Sequence, residues 1–520
     1  MMMDHKTIGD VEENNVGFEG KNVGLEESNV ILEAGNKDHH TEIEARGLRG
    51  SNYWRKASEI KNRLVYGLTS GTVDDKSVSN VGQKGARVAT LDVFRGLTVA
   101  IMILVDDAGS YWPKINHSPW NGCTLADLVM PFFLFIVGVA IALAFKRVPN
   151  RGAAVKRVTG RTLKLLFWGI ILQGGYSQAP DVLAYGVDMK LIRWCGILQR
   201  IALSYFIVSL VEIAISNSDG WKLPEGRFEI FKLYKWHWLV AFICFFVYHS
   251  VVYGLYVPDW HYIPVDGDGK TSYIVKCGVK AHFGAACNAV GYVDRQVWGI
   301  HHLYGIPEFR RAQSCSLDSP ADGPAPPNAP SWCLAPFEPE GFMSSISAIL
   351  SCILGLHYGH VLIHFKDHKK RLVHWISIGI VLILLGMTLH FSDGIPINKQ
   401  LYSFSYVCFT GGAAGLLFSA LYILIDAYKI RMPTILFEWM GMNAMLVFAG
   451  GAQGLLGGFV NGFYYKSQDN NLTHWIEKHL FIKVWHSVRV GFLMYVLFAE
   501  ILFWGILCGF LHYIGWYWKL

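Results

Sequence analysis

From Arg87 onward the chain returns repeatedly to apolar stretches of about 20 residues, the length a helix needs to cross the hydrocarbon core of a bilayer. They fall at 91–109, 124–145, 160–177, 196–216, 236–256, 342–364, 373–391, 403–427, 434–458 and 490–515. Inside lipid every backbone N–H and C=O must be satisfied within the segment, so such stretches fold as helices. The expectation is an all-α polytopic membrane protein of about ten transmembrane helices. Composition agrees: 52% of the 520 residues are apolar and 17% charged, which excludes an ordinary soluble globular protein. Residues 1–86 differ in kind. They are rich in Gly, Asn, Glu and Lys, contain no apolar run long enough for a signal peptide, and read as a disordered cytosolic tail ahead of a membrane domain at 87–520.

The formal charge of +6 is concentrated in short loops on alternate sides of the apolar stretches, so it reports topology and calls for no nucleic-acid partner. With the N-terminus in the cytosol, the positive-inside rule is met at each loop: Lys146, Arg147, Arg151, Lys156 and Arg157; Lys222, Arg227, Lys232 and Lys235; Lys366, Lys369, Lys370 and Arg371; Lys429 and Arg431. The C-terminus then also lies in the cytosol, and the long loop 257–341 faces a lumen or the outside. That loop holds Cys277, Cys287, Cys315 and Cys333, enough for two disulfides in an oxidising compartment, with all three pairings open. The other six cysteines lie in or beside apolar stretches and read as small buried residues. Asn471-Leu472-Thr473 is a glycosylation sequon on the same side; Asn116-His117-Ser118 is followed by Pro119 close to the membrane and is expected to go unused. The third stretch, with Gly174-Gly175, and the glycine-rich ninth are the ones expected to break or re-enter. Such a chain is a multi-pass integral protein of an endomembrane (lysosome, vacuole or Golgi) or of the plasma membrane.

Charges inside or beside apolar helices are costly and mark places with a partner or a polar cavity. Asp92 and Arg95 stand three apart and so share a helix face, where they can pair with each other while Arg95 meets a phosphate. Asp106 and Asp107 end the same stretch, either as a solvated helix end or as a binding or orienting group. The connector from Ser110 to Cys123, SYWPKINHSPWNGC, is crowded with chemistry: His117 offers an imidazole able to move a proton or hold an acyl group, and Asn121 stands nearby. A lone interfacial histidine beside belt aromatics is also an ordinary surface feature. Asp127 lies one turn into the next stretch. Deeper, Arg200 is expected to face the bundle interior, and Asn443, with Glu438, sits in an apolar run where an inter-helix hydrogen bond is the plain account. No zinc-ligand spacing, phosphate loop, dinucleotide fingerprint or serine nucleophile elbow stands in a usable context, and no metal is expected.

The segments VATLDVFRGLTVAIMILVDDAGSYW, INHSPWNGCTLADLVMPFFLFIVG, GILQRIALSYF, GYVDRQVWGIHHLY, EPEGFMSSISAILSCILG, PINKQLYSFSYV and GMNAMLVF, in this order over residues 87–520, resemble the catalytic membrane region of heparan-α-glucosaminide N-acetyltransferases. The resemblance implies a transmembrane acetyltransferase: cytosolic acetyl-CoA gives its acetyl group to a terminal glucosamine on the far side of the bilayer. His117 matches the family's catalytic histidine; Asp127, Arg200 and Asn443 fall on matching positions. The working expectation has Asp106 or Asp107 steadying the imidazole and Arg200 serving the polar core. Two departures bear on the acceptor and site: Asp106 replaces an asparagine, and Gly450-Gly451-Ala452 replaces a Gly-His-Glu run. The signal sequence, lumenal domain and extra N-terminal span of the lysosomal enzymes also have no counterpart in the polar tail. Expected partners are the lipid bilayer, acetyl-CoA and a saccharide acceptor, with a homo-oligomer left open. The alternatives are a polysaccharide O-acetyltransferase and a small-solute transporter.

Overall fold

Each stretch that the sequence marks as apolar is helical wherever the computed structural model describes it, which is over residues 88–174, 188–215, 229–263 and 272–518. The expected tail at 1–86 lies outside these residues. The helices are α1 (Ala89–Ala108), α2 (Leu125–Ala144), α3 (Arg151–Gly169), continued by a π turn at Ile170–Gly174, α4 (Ile197–Ile215), α5 (Lys235–Gly254), and a short α6 (Ala289–Trp298) inside the long loop. After the loop come α7 (Phe342–His364), α8 (His368–Phe391), α9 (Phe404–Ala427), the pair α10 (Met432–Met442) and α11 (Ala444–Ala452), and α12 (Val488–Tyr513).

Seven of these, α2, α4, α5, α7, α8, α9 and α12, are long and apolar enough to cross a membrane, and eight if α10 and α11 count as one span broken by a 77° bend. Among the described residues, length and apolarity thus support seven or eight spans and do not confirm the expected count of about ten. The reason is charge. Asp92, Arg95, Asp106 and Asp107 crowd α1, and Arg151, Lys156, Arg157, Arg161 and Lys164 line α3. The ninth stretch does break, at Asn443, as its glycines foretold.

Burial sorts the helices into an inner and an outer set. α7 and α2 run through the middle, whereas α5 and α8 expose rows of large apolar side chains, among them Phe242, Phe246, Val381 and Leu384. A surface of that kind is stable against hydrocarbon and not against water. The inner helices approach through glycine. A Cβ on Gly138 of α2 would run into the backbone carbonyl of Cys352, and one on Gly355 of α7 into that of Phe135; Gly96 of α1 and Gly441 of α10 meet each other's helix backbone in the same way. With no hydrophobic drive between helices in lipid, such contact supplies the packing.

The loop between α5 and α7 is a folded cap. Strands β1 (Trp260–Tyr262) and β2 (Tyr273–Val275) pair antiparallel, with Trp260 opposite Val275. Of the three possible cysteine pairings the structure has one: Cys277 with Cys287 and Cys315 with Cys333. Cys195, Cys352, Cys408 and Cys508 are buried thiols; Cys123 and Cys244 are half-buried. Asn471 caps a short helix by accepting from the His474 amide at 2.9 Å.

Gly355→Val should separate α2 from α7 and lower the unfolding midpoint of the detergent-solubilised protein, at a cost of about 1–3 kcal/mol or more. Gly160→Ala, in α3 where a Cβ meets nothing within 4 Å, should leave it unchanged or raise it slightly.

Candidate active site

The site grows out of the start of α2. Thr124 and Asp127 form a capping box in which the Asp127 carboxylate accepts from the Thr124 amide at 3.0 Å. The same oxygen, Oδ2, accepts from the Thr124 hydroxyl at 3.0 Å and the Ser118 amide at 3.1 Å. That leaves Oδ1, which lies 2.8 Å from Nδ1 of His117. Asp127 is fully buried, while the His117 side chain is 22% exposed, so the imidazole is fixed from behind and reachable from in front.

The connector that carries His117 is clamped on all sides. Asn116 accepts from the His117 amide at 2.7 Å and its own carbonyl accepts from the Thr124 hydroxyl at 2.7 Å. The carbonyl of His117 accepts from Arg311, in the cap, at 2.8 Å. Trp120 donates to the carbonyl of Phe283 at 2.8 Å and meets Phe309 and Phe337 edge-on. Asn121 pairs its backbone with Asn398, whose side chain donates to Asn121 Oδ1 at 3.2 Å. Trp112 donates to the carbonyl of Arg489 and lies under its guanidinium. Loops from four regions of the sequence thus meet at one end of the bundle, and the long loop, read from sequence as an external segment, walls the site.

Lys399 is the neighbour that sequence reasoning missed. Its Nζ lies 3.1 Å from both ring nitrogens of His117. The only available signal was its place in the PINKQ segment. Arg311, Glu308 and Tyr406 were missed too; Tyr406 donates to the carbonyl of Asp127, and Glu308 pairs with Arg311. Burial alone would raise the Glu308 carboxyl, but the charges of His117, Arg311 and Lys399 outweigh it and hold it below the usual range.

The expected partner of the imidazole was Asp106 or Asp107; the structure puts Asp127 there instead. Asp107 lies beside Glu500 of α12, and Asp106, exposed, reaches His117 and Lys399 only through its charge. Helix geometry is the cause, since Asp127 shares a connector with His117 while the two acids leave α1 before the chain turns. Arg200 is buried as expected, donating to the Pro339 carbonyl and to Ser344 and Ser345, with its guanidinium 5.1 Å above the Tyr402 ring. Beside it Arg193 grips both Glu338 and Glu340. Burial would raise Glu340, but Arg193, Arg200 and Lys399 hold it low. Asn443 is not spent on His117: it donates to the Trp516 carbonyl and accepts from the Trp518 amide, pinning the C-terminal segment at the α10–α11 bend. Arg95 donates to the Gly441 carbonyl at 3.2 Å and stands 3.6 Å from Asp92, in keeping with the expected pair.

Under this layer Asp294 of α6 caps α7 in trans, its Oδ1 accepting from the Phe342 amide at 2.8 Å. Burial, with the nearby Glu338 charge, pushes its carboxyl up from 3.8 to about 7 against the pull of the Phe342 amide. The folded protein therefore holds this proton longer than the unfolded chain, and stability falls as pH rises from 3.8 to about 7. Asp294→Asn, which keeps the cap and cannot ionise, should flatten that region of the stability–pH curve measured by thermal unfolding in detergent.

Residues 87–223 match the family model described as heparan-alpha-glucosaminide N-acetyltransferase, catalytic. The chain is 28% identical over 437 residues to the heparan-alpha-glucosaminide N-acetyltransferase of Mus musculus, covering 81% of this chain and 60% of the relative. It is 28% identical over 442 residues to that of Homo sapiens, with the same coverage of 81% and 60%. The chain thus spans about 60% of the length of these curated relatives. The region matched by the family model contains Arg95, Asp106, Asp107, His117, Asn121, Asp127 and Arg200, so this part of the chain is similar to the catalytic region of heparan-alpha-glucosaminide N-acetyltransferases.

Proposed function

We propose that this protein is a membrane acetyltransferase that passes the acetyl group of acetyl-CoA to an amino sugar bound at the His117 end of the bundle. The observation that carries the reading is the His117–Asp127 pair, 2.8 Å apart, with the carboxylate buried and the imidazole reachable. An Nδ1–H held by Asp127 leaves the Nε2 lone pair to take the proton of the attacking amine. The amine nitrogen then bonds the acetyl carbon, the thioester C–S bond breaks, and the CoA thiolate leaves and takes up a proton. The same lone pair can instead accept the acetyl group first; the two routes differ in whether an acetyl-histidine forms.

Lys399 has one clear use at this distance: its Nζ can face the oxyanion that develops on the acetyl carbonyl. Asp106, accessible and within electrostatic reach of His117 and Lys399, suits the ammonium of an amino sugar better than a neutral hydroxyl acceptor. Along α1 the eleven residues from Arg95 to Asp106 cover about 16 Å, which lets a phosphate-bearing donor enter near Arg95 and present its thioester near His117. The basic loops at the Arg95 end then face the cytosol and the disulfide-bearing cap faces a lumen or the exterior.

The direct test is transfer from labelled acetyl-CoA to glucosamine by the purified full-length protein. His117→Ala should abolish transfer while donor binding persists. Asp127→Asn should lower turnover by roughly 10²–10⁴-fold, the range for losing an oriented general base. Undiminished transfer by His117→Ala would overturn the assignment, and Lys399→Met should depress kcat more than the donor KM.

A further inference from the structure

At the other end of the bundle, away from His117, three helices bring together side chains that acetyl transfer does not use. Glu212 from α4, His237 from the first turn of α5 and His360 from near the end of α7 are all buried, and their donor atoms lie within 4.8 Å of one another. Glu212 stands twelve residues beyond Arg200, about 18 Å along α4, so this cluster belongs to a different layer of the protein.

A carboxylate between two imidazoles can be a plain hydrogen-bonded network, and the His360 half of the cluster fits that account, with Nε2 3.1 Å from Glu212 Oε2. The His237 half does not. Its Nε2 is 2.8 Å from the same oxygen, yet neither ring nitrogen makes a hydrogen bond among the described residues. A buried imidazole aimed at a carboxylate without donating to it leaves a polar atom orphaned, which is costly. Three donor atoms within 4.8 Å of one another, two imidazole nitrogens and a carboxylate oxygen, are close enough to share one cation. The ring orientations are fixed by packing: Tyr234 stacks face to face on His360 at 3.5 Å and meets His237 edge-on.

We propose that Glu212 Oε2, His237 Nε2 and His360 Nε2 form a divalent metal site. Two imidazoles and one carboxylate suit a borderline transition ion, Zn²⁺ above all, and not Mg²⁺ or Ca²⁺, which take oxygen ligands. Three protein ligands leave a fourth position for water. The ion pins α4, α5 and α7 together where no disulfide reaches. α4 carries Arg200 and α7 begins at the serines that Arg200 bonds, so the pin holds the two helices whose opposite ends frame the transfer site.

The test needs neither donor nor acceptor, so its outcome is independent of the acetyltransferase reading. Tag-free, full-length protein in detergent is equilibrated with Zn²⁺, dialysed, and its metal counted by mass spectrometry; a second sample is loaded with Co²⁺ and its visible d–d spectrum recorded. We expect a stoichiometric ion and the intense bands of low-coordinate cobalt in the wild-type chain, both lost in Glu212→Gln and His237→Gln, and a lower unfolding midpoint after chelation that Zn²⁺ restores. A wild-type chain with no stoichiometric zinc and no such cobalt spectrum overturns the site, as do folded variants that bind as much metal as the wild type. The cobalt spectrum of the unmutated protein decides the matter even where a variant does not fold.

Discussion

The rest of the site depends on one buried carboxylate. Asp127 takes up the orphan amide at the head of α2, the Thr124 hydroxyl and the Ser118 amide with one oxygen and turns the other toward His117. A buried carboxylate without partners would be costly; one saturated with donors is held in place. The helix cap and the orientation of the imidazole are thus one interaction seen from two sides. A residue that stabilises the fold also fixes which nitrogen of His117 faces outward.

That arrangement explains why the cap must be folded. The connector holding His117 is too short and too polar to keep its own shape at a membrane surface. Arg311 grips its carbonyl, Trp120 anchors it among Phe309 and Phe337, and Asn398 zips onto Asn121. The two disulfides fall within the cap, each closing a short loop of chain, and so stiffen the wall from which Arg311 reaches. In the layer beneath, Arg200 has the matching role. Its guanidinium ties α4 to the Glu338–Glu340 turn and to the head of α7, while Arg193 neutralises the two glutamates. An arginine in that position holds the turn that carries Glu340 against the head of α7.

Helices were legible in the sequence because apolar length is a local property; their number as membrane spans was less so, because α1 and α3 carry charge that only the bundle can explain. His117 and Asp127 could be named because they stand ten residues apart beside one helix start. Their pairing was misassigned to Asp106 or Asp107 because the turn between α1 and α2 cannot be read from residue order. Lys399 and Arg311 come from loops hundreds of residues away in sequence, and no periodicity announces a side chain that arrives across a bundle. Asn443 shows the converse: its position in an apolar run marked it as consequential, yet its amide holds the backbone of the C-terminal segment. The Glu212–His237–His360 cluster was invisible for the same reason as Lys399, being assembled from three helices with no ligand spacing within any one of them.

The charge pattern of α1 carries the last step. Hydropathy measures what a helix needs in order to face lipid, and α1 scarcely faces lipid: Val93, Phe94, Val99, Ile103 and Val105 are buried against α2, α10 and the helices around them. Freed from that demand, it places Asp92 and Arg95 at one end and Asp106 and Asp107 at the other with only uncharged residues between. A helix of this kind joins two polar environments through an apolar interior. Its charged ends, which keep it from reading as a membrane span, follow from that buried position between other helices.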